Sequence, residues 1–445
     1  MPKIITKLSY SEVQKFKIKH SMFVDSPAKI EDCGEGDIIM RRELFSVCYR
    51  TMFAQLIFGL FVFCSLGISD ADGARGVTDD TVKIGVLVDQ TGPAASVGIP
   101  LGESTRIYFR NINDQGGING RKIKVIVEDD HYSIPGAFSA FKKLIFRDKI
   151  LSLLYCGGTG QTLALGKQIN KNKVPVVPVS LAETMTTPVK QYIFTATSSY
   201  DDGIKILIDY MMKDLKAKKP RVAIVYPDLE FGKTGLRAVQ EYLPNYELEL
   251  SNKVILALGA IDATSEVLAL RRSKPDYVIL HNAAAAVISF LKSAKKFGLK
   301  SPVLGSFYVS EEAIIATSGN ASKDMVAVSP FAYWAGSRPG MVELKRITKR
   351  YQPDTEPKTR SYTQGWITSM ICAEGLRRAG KDLTPDTLVQ AFETFKDFST
   401  GEISGPISYD KHDHKGGKDN RIYKTDIKQQ TFIPITGFRE PAIKD

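Results

Sequence analysis

The stretch Val82–Asp130, VKIGVLVDQTGPAASVGIPLGESTRIYFRNINDQGGINGRKIKVIVEDD, decides how the rest of the chain is read. It opens with an apolar, β-branched run, Val82 to Val88, passes through a Gly/Pro/Ser loop, and continues in helical period from Gly98 to Asn113. Gly116-Gly117 breaks the helix, and a second apolar run follows from Ile123 to Glu128. Strand, helix, strand at this length predicts a right-handed crossover between two parallel strands.

Working outward, the same alternation repeats. Strands are predicted at Ile150 to Cys156, Val174 to Val179, Tyr192 to Thr195, Val222 to Tyr226, Tyr277 to His281 and Val326 to Ser329. Helices are predicted at Pro135 to Phe146, Thr162 to Asn170, Gly203 to Leu215, Gly232 to Tyr242, Ala283 to Phe297 and Thr363 to Ala379. Short apolar runs suit strands covered on both faces, so the expected fold class is α/β with doubly wound parallel sheets. A chain of 445 residues has room for two such bodies.

Sheets of this kind hold ligands at the carboxyl ends of their strands. Four loops there offer glycines, hydroxyls or both ahead of a helix: DQTGPAASVG (89–98), CGGTGQT (156–162), PVSLAET (178–184) and YPDLEFGKTG (226–235). The free N–H groups of such helix starts receive anions. Gly232-Lys233-Thr234 looks like the end of a nucleotide-binding loop, but the position five residues before Gly232 is Pro227. Proline has no N–H to give a phosphate, so that reading fails.

The formal charge is +11, and residues 1–76 hold ten Lys/Arg against nine Asp/Glu, so almost all of the excess lies beyond them. The basic residues are scattered among acids, with no basic run interleaved with aromatics, and a solvated basic surface is expected rather than a nucleic-acid interface. Arg41, Arg42 and Arg50 precede the apolar stretch Met52–Leu66, which is followed by small and polar residues. This is the layout of a secretory signal, placed at about 40–71 within a leader at 1–76, with Ser69-Asp70-Ala71 or Ala71-Asp72-Gly73 as the cleavage site. A retained anchor and lipidation at Cys64 are weaker readings, and Met40 and Met52 are alternative starts. Beyond the leader only Cys156 and Cys372 remain, and two separate buried thiols are expected.

Enzyme signatures are thin. Ser289-Phe-Leu-Lys292 and Lys233-Thr234-Gly235 match parts of the β-lactamase set in the wrong order. No Gly-x-Ser-x-Gly or His-Glu-x-x-His occurs. His412-Asp413-His414 is expected to face water, and Asp129-Asp130-His131 to cap a strand end, so no metal, cofactor or catalytic residue is assigned.

The block Val82–Asp130 resembles the periplasmic solute-binding proteins of branched-chain amino-acid and related ABC importers. The features that carry the resemblance are Thr91-Gly92-Pro93, Gly98, Ile112-Asn113, Gly116-Gly117-Ile118 with Gly120-Arg121-Lys122-Ile123, and Asp129-Asp130. It continues through VAIVYPDLEFGKTG, PDYVILHN, FGLKSPVLGS and GPISYD to about residue 440. The resemblance implies a type I periplasmic binding fold, with two α/β lobes joined by three crossings near Ser199, Pro330 and Ser404. Lobe one is then 80–199 plus 330–404, and lobe two 200–329 plus 405–445. It also implies a non-enzymatic, monomeric, periplasmic protein that binds a small solute and hands it to a membrane permease. A soluble sensing component of a signalling receptor is the alternative.

By the same resemblance, Thr159, Gly160, Ser180, Leu181 and Ala182 form the carboxylate-holding loops, and Ser96, Val97, Phe231, Ala283, Phe307, Tyr308 and Tyr362 complete the ligand site. The acidic residue that would hold an ammonium group is missing where the chain reads Gly305-Ser306-Phe307-Tyr308. A hydrophobic or aromatic acid is therefore expected ahead of an amino acid, with amides or urea-like solutes behind both.

Overall fold

The computed structural model describes residues 74–443. The leader, its signal and Cys33, Cys48 and Cys64 lie outside the described residues. In the first sheet, β1 (Thr81–Val88) is the apolar run that opened the reading, and β2 (Lys122–Asp129), β3 (Ser152–Tyr155) and β4 (Val176–Pro178) all run parallel to it in the order β2-β1-β3-β4. Val86 pairs with Val127 on one side and Leu154 on the other, which leaves β1 with no edge exposed. The crossovers are α1 (Ala95–Asp114), α2 (Ile134–Lys142, continued by a π turn at Lys143–Arg147) and α3 (Thr159–Lys171).

The second sheet has seven strands: β5 (Val222–Tyr226), β6 (Leu250–Ile255), β7 (Tyr277–Leu280), β8 (Val303–Gly305), β9 (Val326–Ser329), β10 (Arg421–Asp426) and β11 (Thr431–Pro434). Their order is β11-β10-β9-β8-β7-β5-β6, parallel from β5 to β9 and closed on one side by the antiparallel hairpin β10–β11. Helices α4 (Tyr200–Asp209), α5 (Glu230–Tyr242), α6 (Thr264–Ser273), α7 (Ala284–Lys296) and α8 (Glu312–Ser318) belong to this half of the path. After β9 the chain returns through α9 (Pro339–Tyr351), α10 (Arg360–Ala379) and α11 (Pro385–Phe392), and α10 packs along α1. Among the described residues no helix is long and apolar enough to cross a membrane. The result is the doubly wound α/β class read from the sequence.

Several expectations need correction. Tyr192–Thr195 is not a strand: Ile193 bridges Val176 and Thr195 bridges Lys415, one residue each. The segment is crossing between sheets, and Ser199 already caps α4 through its hydroxyl and Asp202, so no run of pairing forms. β6 went unread because, as an edge strand, it alternates exposed and half-buried residues instead of presenting a continuous apolar run. β8 is only three residues long, and β10 and β11 alternate buried with partly exposed positions. His414 is buried, with its ring stacked 3.8 Å from that of Phe194, and does not face water.

Two glycines fix how helices leave the strands. A Cβ on Gly98 would lie 1.9 Å from the Asp89 carbonyl oxygen, and one on Gly232 would lie 1.8 Å from that of Pro227. Both helices therefore start against the strand that precedes them, and this accounts for the glycine of FGKTG without any phosphate. The first turns of α5 are also held by His281, which is fully buried at the end of β7. Its Nε2 lies 2.9 Å from the Phe231 carbonyl and its Nδ1 2.7 Å from Ser306 Oγ. A carbonyl only accepts, so the proton sits on Nε2 and Ser306 donates to Nδ1. Burial lowers the imidazole from its usual 6.5 to about 4.

Two outcomes follow. Gly232→Ala should cost about 2 kcal/mol in urea unfolding, whereas Gly166→Ala, inside α3 with nothing within 4 Å, should cost nothing or stabilise slightly. The unfolded chain protonates His281 below about 6.5 but the folded one only below about 4. Acid therefore favours unfolding, through a term that is absent above pH 6.5 and grows to about 3 kcal/mol by pH 4. A His281→Gln variant should lose correspondingly less stability than the parent between pH 7 and 4. Parallel pH profiles would mean that His281 takes up its proton in the folded state.

Candidate functional site

Each sheet reverses its winding about its first strand: β1 lies between β2 and β3, and β5 between β6 and β7. The loops leaving either side of such a strand diverge, and the crevice between them is where doubly wound sheets take ligands. Here the two crevices share one cavity. From the first sheet its wall takes Val88 at the end of β1 and Asp89 next to it, Tyr132 after β2, Gly157 to Thr159 after β3, and Val179 and Ser180 after β4. Ala94, Val97, Gly98 and Leu101 add the start of α1. From the second come Tyr200, Phe231, Leu258, Ala283 and Tyr308.

What faces the cavity is mostly apolar and aromatic. Tyr200 meets Phe231 edge-on at 5.5 Å and Tyr308 at 5.8 Å, and Phe231 meets Tyr308 at 5.5 Å. The Tyr200 hydroxyl lies 3.4 Å from that of Tyr308, which in turn reaches toward the Val179 carbonyl at 3.4 Å. Loops from both sheets thus touch across the cavity. Asn282 holds the loop carrying Leu258 in place by donating to the Leu256 carbonyl at 2.8 Å.

The polar features suit an anion. Helices α1, α3, α5 and α7 all begin at the cavity, and none has a side-chain cap: their N-cap residues are Ala94, Gly158, Leu229 and Ala283. Uncapped N–H groups and the positive end of the helix dipole favour negative charge. Beside the start of α3, Thr159 Oγ and Ser180 Oγ lie 2.8 Å apart, both buried. The Tyr132 ring lies over Gly158, where a Cβ would come within 2.7 Å of it. Among the described residues no Lys or Arg lines the cavity.

Among the described residues Asp89 is the one carboxylate of the lining, and it is already committed. It accepts the N–H groups of Thr91, Gly92 and Ala94 at 3.2, 2.5 and 2.7 Å, closing its own loop. Asp129 accepts from the Gln90 and His131 N–H groups and from the Thr91 hydroxyl. Burial pushes the neighbouring Asp130 carboxyl up to about 6. These three acids approach one another closely enough to hold a cation, yet only Asp130 Oδ2 lacks a protein hydrogen bond. Backbone N–H groups and the Thr91 hydroxyl satisfy the other oxygens of the cluster.

Of the residues expected in the site, Val97, Thr159, Ser180, Phe231, Ala283 and Tyr308 line the cavity. Ser96 is exposed at the start of α1, and Gly160 faces Glu230. Leu181 and Ala182 are buried behind Ser180. Phe307 packs on Phe331 and under Arg360, and Tyr362 bonds to Thr348 at 2.9 Å, both away from the cavity. Sequence reasoning missed Tyr132, Tyr200 and Leu258. Only Tyr200 carried a usable signal, as the first ring after an expected crossing at Ser199. Lys233 lies on the surface near Asp228 and Glu230.

Comparison with known proteins agrees with this geometry. The Leu/Ile/Val-binding protein of Escherichia coli K12 is 23% identical over 340 residues, covering 76% of this chain and 89% of that protein. A branched chain amino acid ABC transporter structure from Thermus thermophilus with bound valine superposes with a TM-score of 0.76 at 25% identity, covering 82% of this chain and 98% of the other. A solute binding protein of an ABC transporter from Rhodopseudomonas palustris BisB5, in complex with 3,4-dihydroxy benzoic acid, gives 0.72 at 22% identity, covering 82% and 99%. Residues 81–430 match the family described as periplasmic binding protein, and the chain belongs to that family.

Proposed function

We propose that this chain is the extracytoplasmic solute-binding protein of an ABC importer, that its solute is a hydrophobic or aromatic carboxylic acid, and that it delivers this solute as a monomer to a permease in the inner membrane. The observation that carries the ligand class is the charge of the cavity wall: helix starts and hydroxyls for an anion, with the one carboxylate, Asp89, consumed by its own loop. An α-amino acid would bring an ammonium group with nothing opposite it. Leaving that charge unpaired in a closed site costs several kcal/mol, far more than a ring or alkyl chain placed against Phe231, Tyr200 and Tyr308.

Thr159 and Ser180 hydroxyls, with the N–H groups at the start of α3, are the carboxylate clamp in this reading, and Tyr132 closes over them. Residues 80–199 with 330–404 act as one lobe and 200–329 with 405–445 as the other, and solute binds the open form before the lobes close on it. Support for a solute of this charge also comes from the Rhodopseudomonas palustris protein, which has the same fold around an acid without an ammonium group. The chemistry needed is capture and release, with no bond made or broken.

Isothermal titration of stripped protein against benzoate, 3,4-dihydroxybenzoate, 4-methylvalerate, leucine and valine tests this. The acids should bind at least about 100-fold more tightly than the amino acids of matching shape. Thr159→Val, which keeps the shape but removes the hydroxyl, should weaken the best acid by about 10-fold. Tight leucine binding with none to the acids would sink the ligand class.

A further inference from the structure

Directly behind Tyr308 sits an ion pair that the binding reading does not use. Arg360, the first residue of α10, is fully buried and is the largest fully buried side chain among the described residues. Its guanidinium donates to the Glu311 carboxylate and, at 3.2 Å, to Gln364 Oε1, and lies 3.9 Å from the Phe307 ring centre and 5.3 Å from that of Tyr308. The Ser361 hydroxyl also donates to Glu311, and the Arg360 N–H donates to Glu312 at 2.8 Å. Burial and the adjacent Glu311 hold the Glu312 carboxyl above the usual carboxylate range.

The partners come from opposite halves of the molecule. Helix α10 shares its apolar core with β1, β3 and α1, through Tyr362, Trp366, Ile367 and Ile371. Glu311 follows β8 and starts α8, whose Ile314 and Ile315 pack with β5, β7 and β9. The Val179 carbonyl, on the cavity wall, is approached from both sides: by Gln364 Nε2 at 3.1 Å and by the Tyr308 hydroxyl at 3.4 Å. The first turn of α10 is therefore where the two halves meet behind the ligand.

We propose that Arg360 and Glu311 form a latch that is made when the two lobes close, and that Arg360 is a positioning residue which, stacked against Phe307, holds Tyr308 in its place in the closed wall. This rests on the closing-cleft reading above. In an open form water solvates both charges at little cost. In the closed form each is stranded if the other is removed, and a buried charge without its partner is strongly destabilising. The latch thus acts on the closed state alone, whereas an ordinary core ion pair would act on both.

The test needs no knowledge of the solute. A Cβ on Gly160 lies 4.0 Å from that of Glu230, within the range of about 3.5–4.5 Å that a disulfide spans. In the full chain with Cys33, Cys48 and Cys64 changed to serine, Gly160→Cys with Glu230→Cys should cross-link on oxidation and hold the lobes closed. Cys156 and Cys372 are buried, with thiols pushed up to about 12, and stay out of the exchange. Thermal unfolding is then compared between the oxidised form and the reduced, solute-stripped form.

Arg360→Gln and Glu311→Gln should each lower the midpoint of the oxidised form by about 6 °C or more and that of the reduced form by about 1 °C or less. The double variant should be no worse than either single one. Equal losses in both forms, additive losses, or an Arg360→Gln protein that does not fold while reduced would overturn the latch and leave the cleft reading standing. If the cysteine pair never cross-links in the parent, the closing cleft itself is wrong, and the latch falls with it.

Discussion

Parallel strands all end on one side, and in this protein that geometry brings several helix N-termini to a single cavity. Each helix start carries N–H groups that no residue of the helix itself can accept from. Where such a group is buried it needs an acceptor, and the loops show how the chain supplies one: Asp89 closes the turn before α1, Asp129 ties that turn to the end of β2, and Ser199 with Asp202 caps α4. Asn282 Oδ1 accepts the Ala283 N–H before α7, but at the start of α3 no side chain does this. In the proposed reading the acceptor there is the carboxylate of the solute, so one requirement of backbone chemistry underlies both the loop sequences and the binding preference.

The proposed binding of a solute between the sheets also explains why rings dominate the second half of the wall. An aromatic side chain offers a large apolar surface with few rotatable bonds, so presenting it to a ligand costs little order. Phe231 is fixed from behind by His281, and Tyr308 by the group around Arg360. These supporting residues are buried and polar, and each keeps its hydrogen bonds inside the protein. They belong to the machinery that holds the wall in shape and never reach the cavity themselves.

The architecture was legible wherever a strand is covered on both faces, because burial on two sides writes a continuous apolar run such as Val82–Val88 or Val222–Tyr226. It failed at the edges. β6 has solvent on one side and alternates like a surface strand, and Tyr192–Thr195 is apolar because it is buried at a crossing and not because it pairs. Within the site, loop chemistry was readable for Thr159 and Ser180, whose hydroxyls sit ahead of or at a helix start. Phe307 and Tyr308 could not be told apart, since adjacent residues of a short 3₁₀ turn point to different sides: one lines the cavity and the other backs onto Arg360. Tyr132 follows Asp129-Asp130-His131 and shares a left-handed backbone with His131, and nothing in its local sequence marks it as a neighbour of Gly158.

The central claim is that the cavity accepts a negative charge without a matching positive one. Native mass spectrometry of the purified protein, followed by denaturation and identification of the released molecule, addresses it without a choice of candidates. The account predicts a small aromatic or aliphatic acid without an amino group. Release of a branched-chain amino acid would contradict it, because the ammonium group would then have found a partner in a wall whose one carboxylate among the described residues, Asp89, is bonded within its own loop.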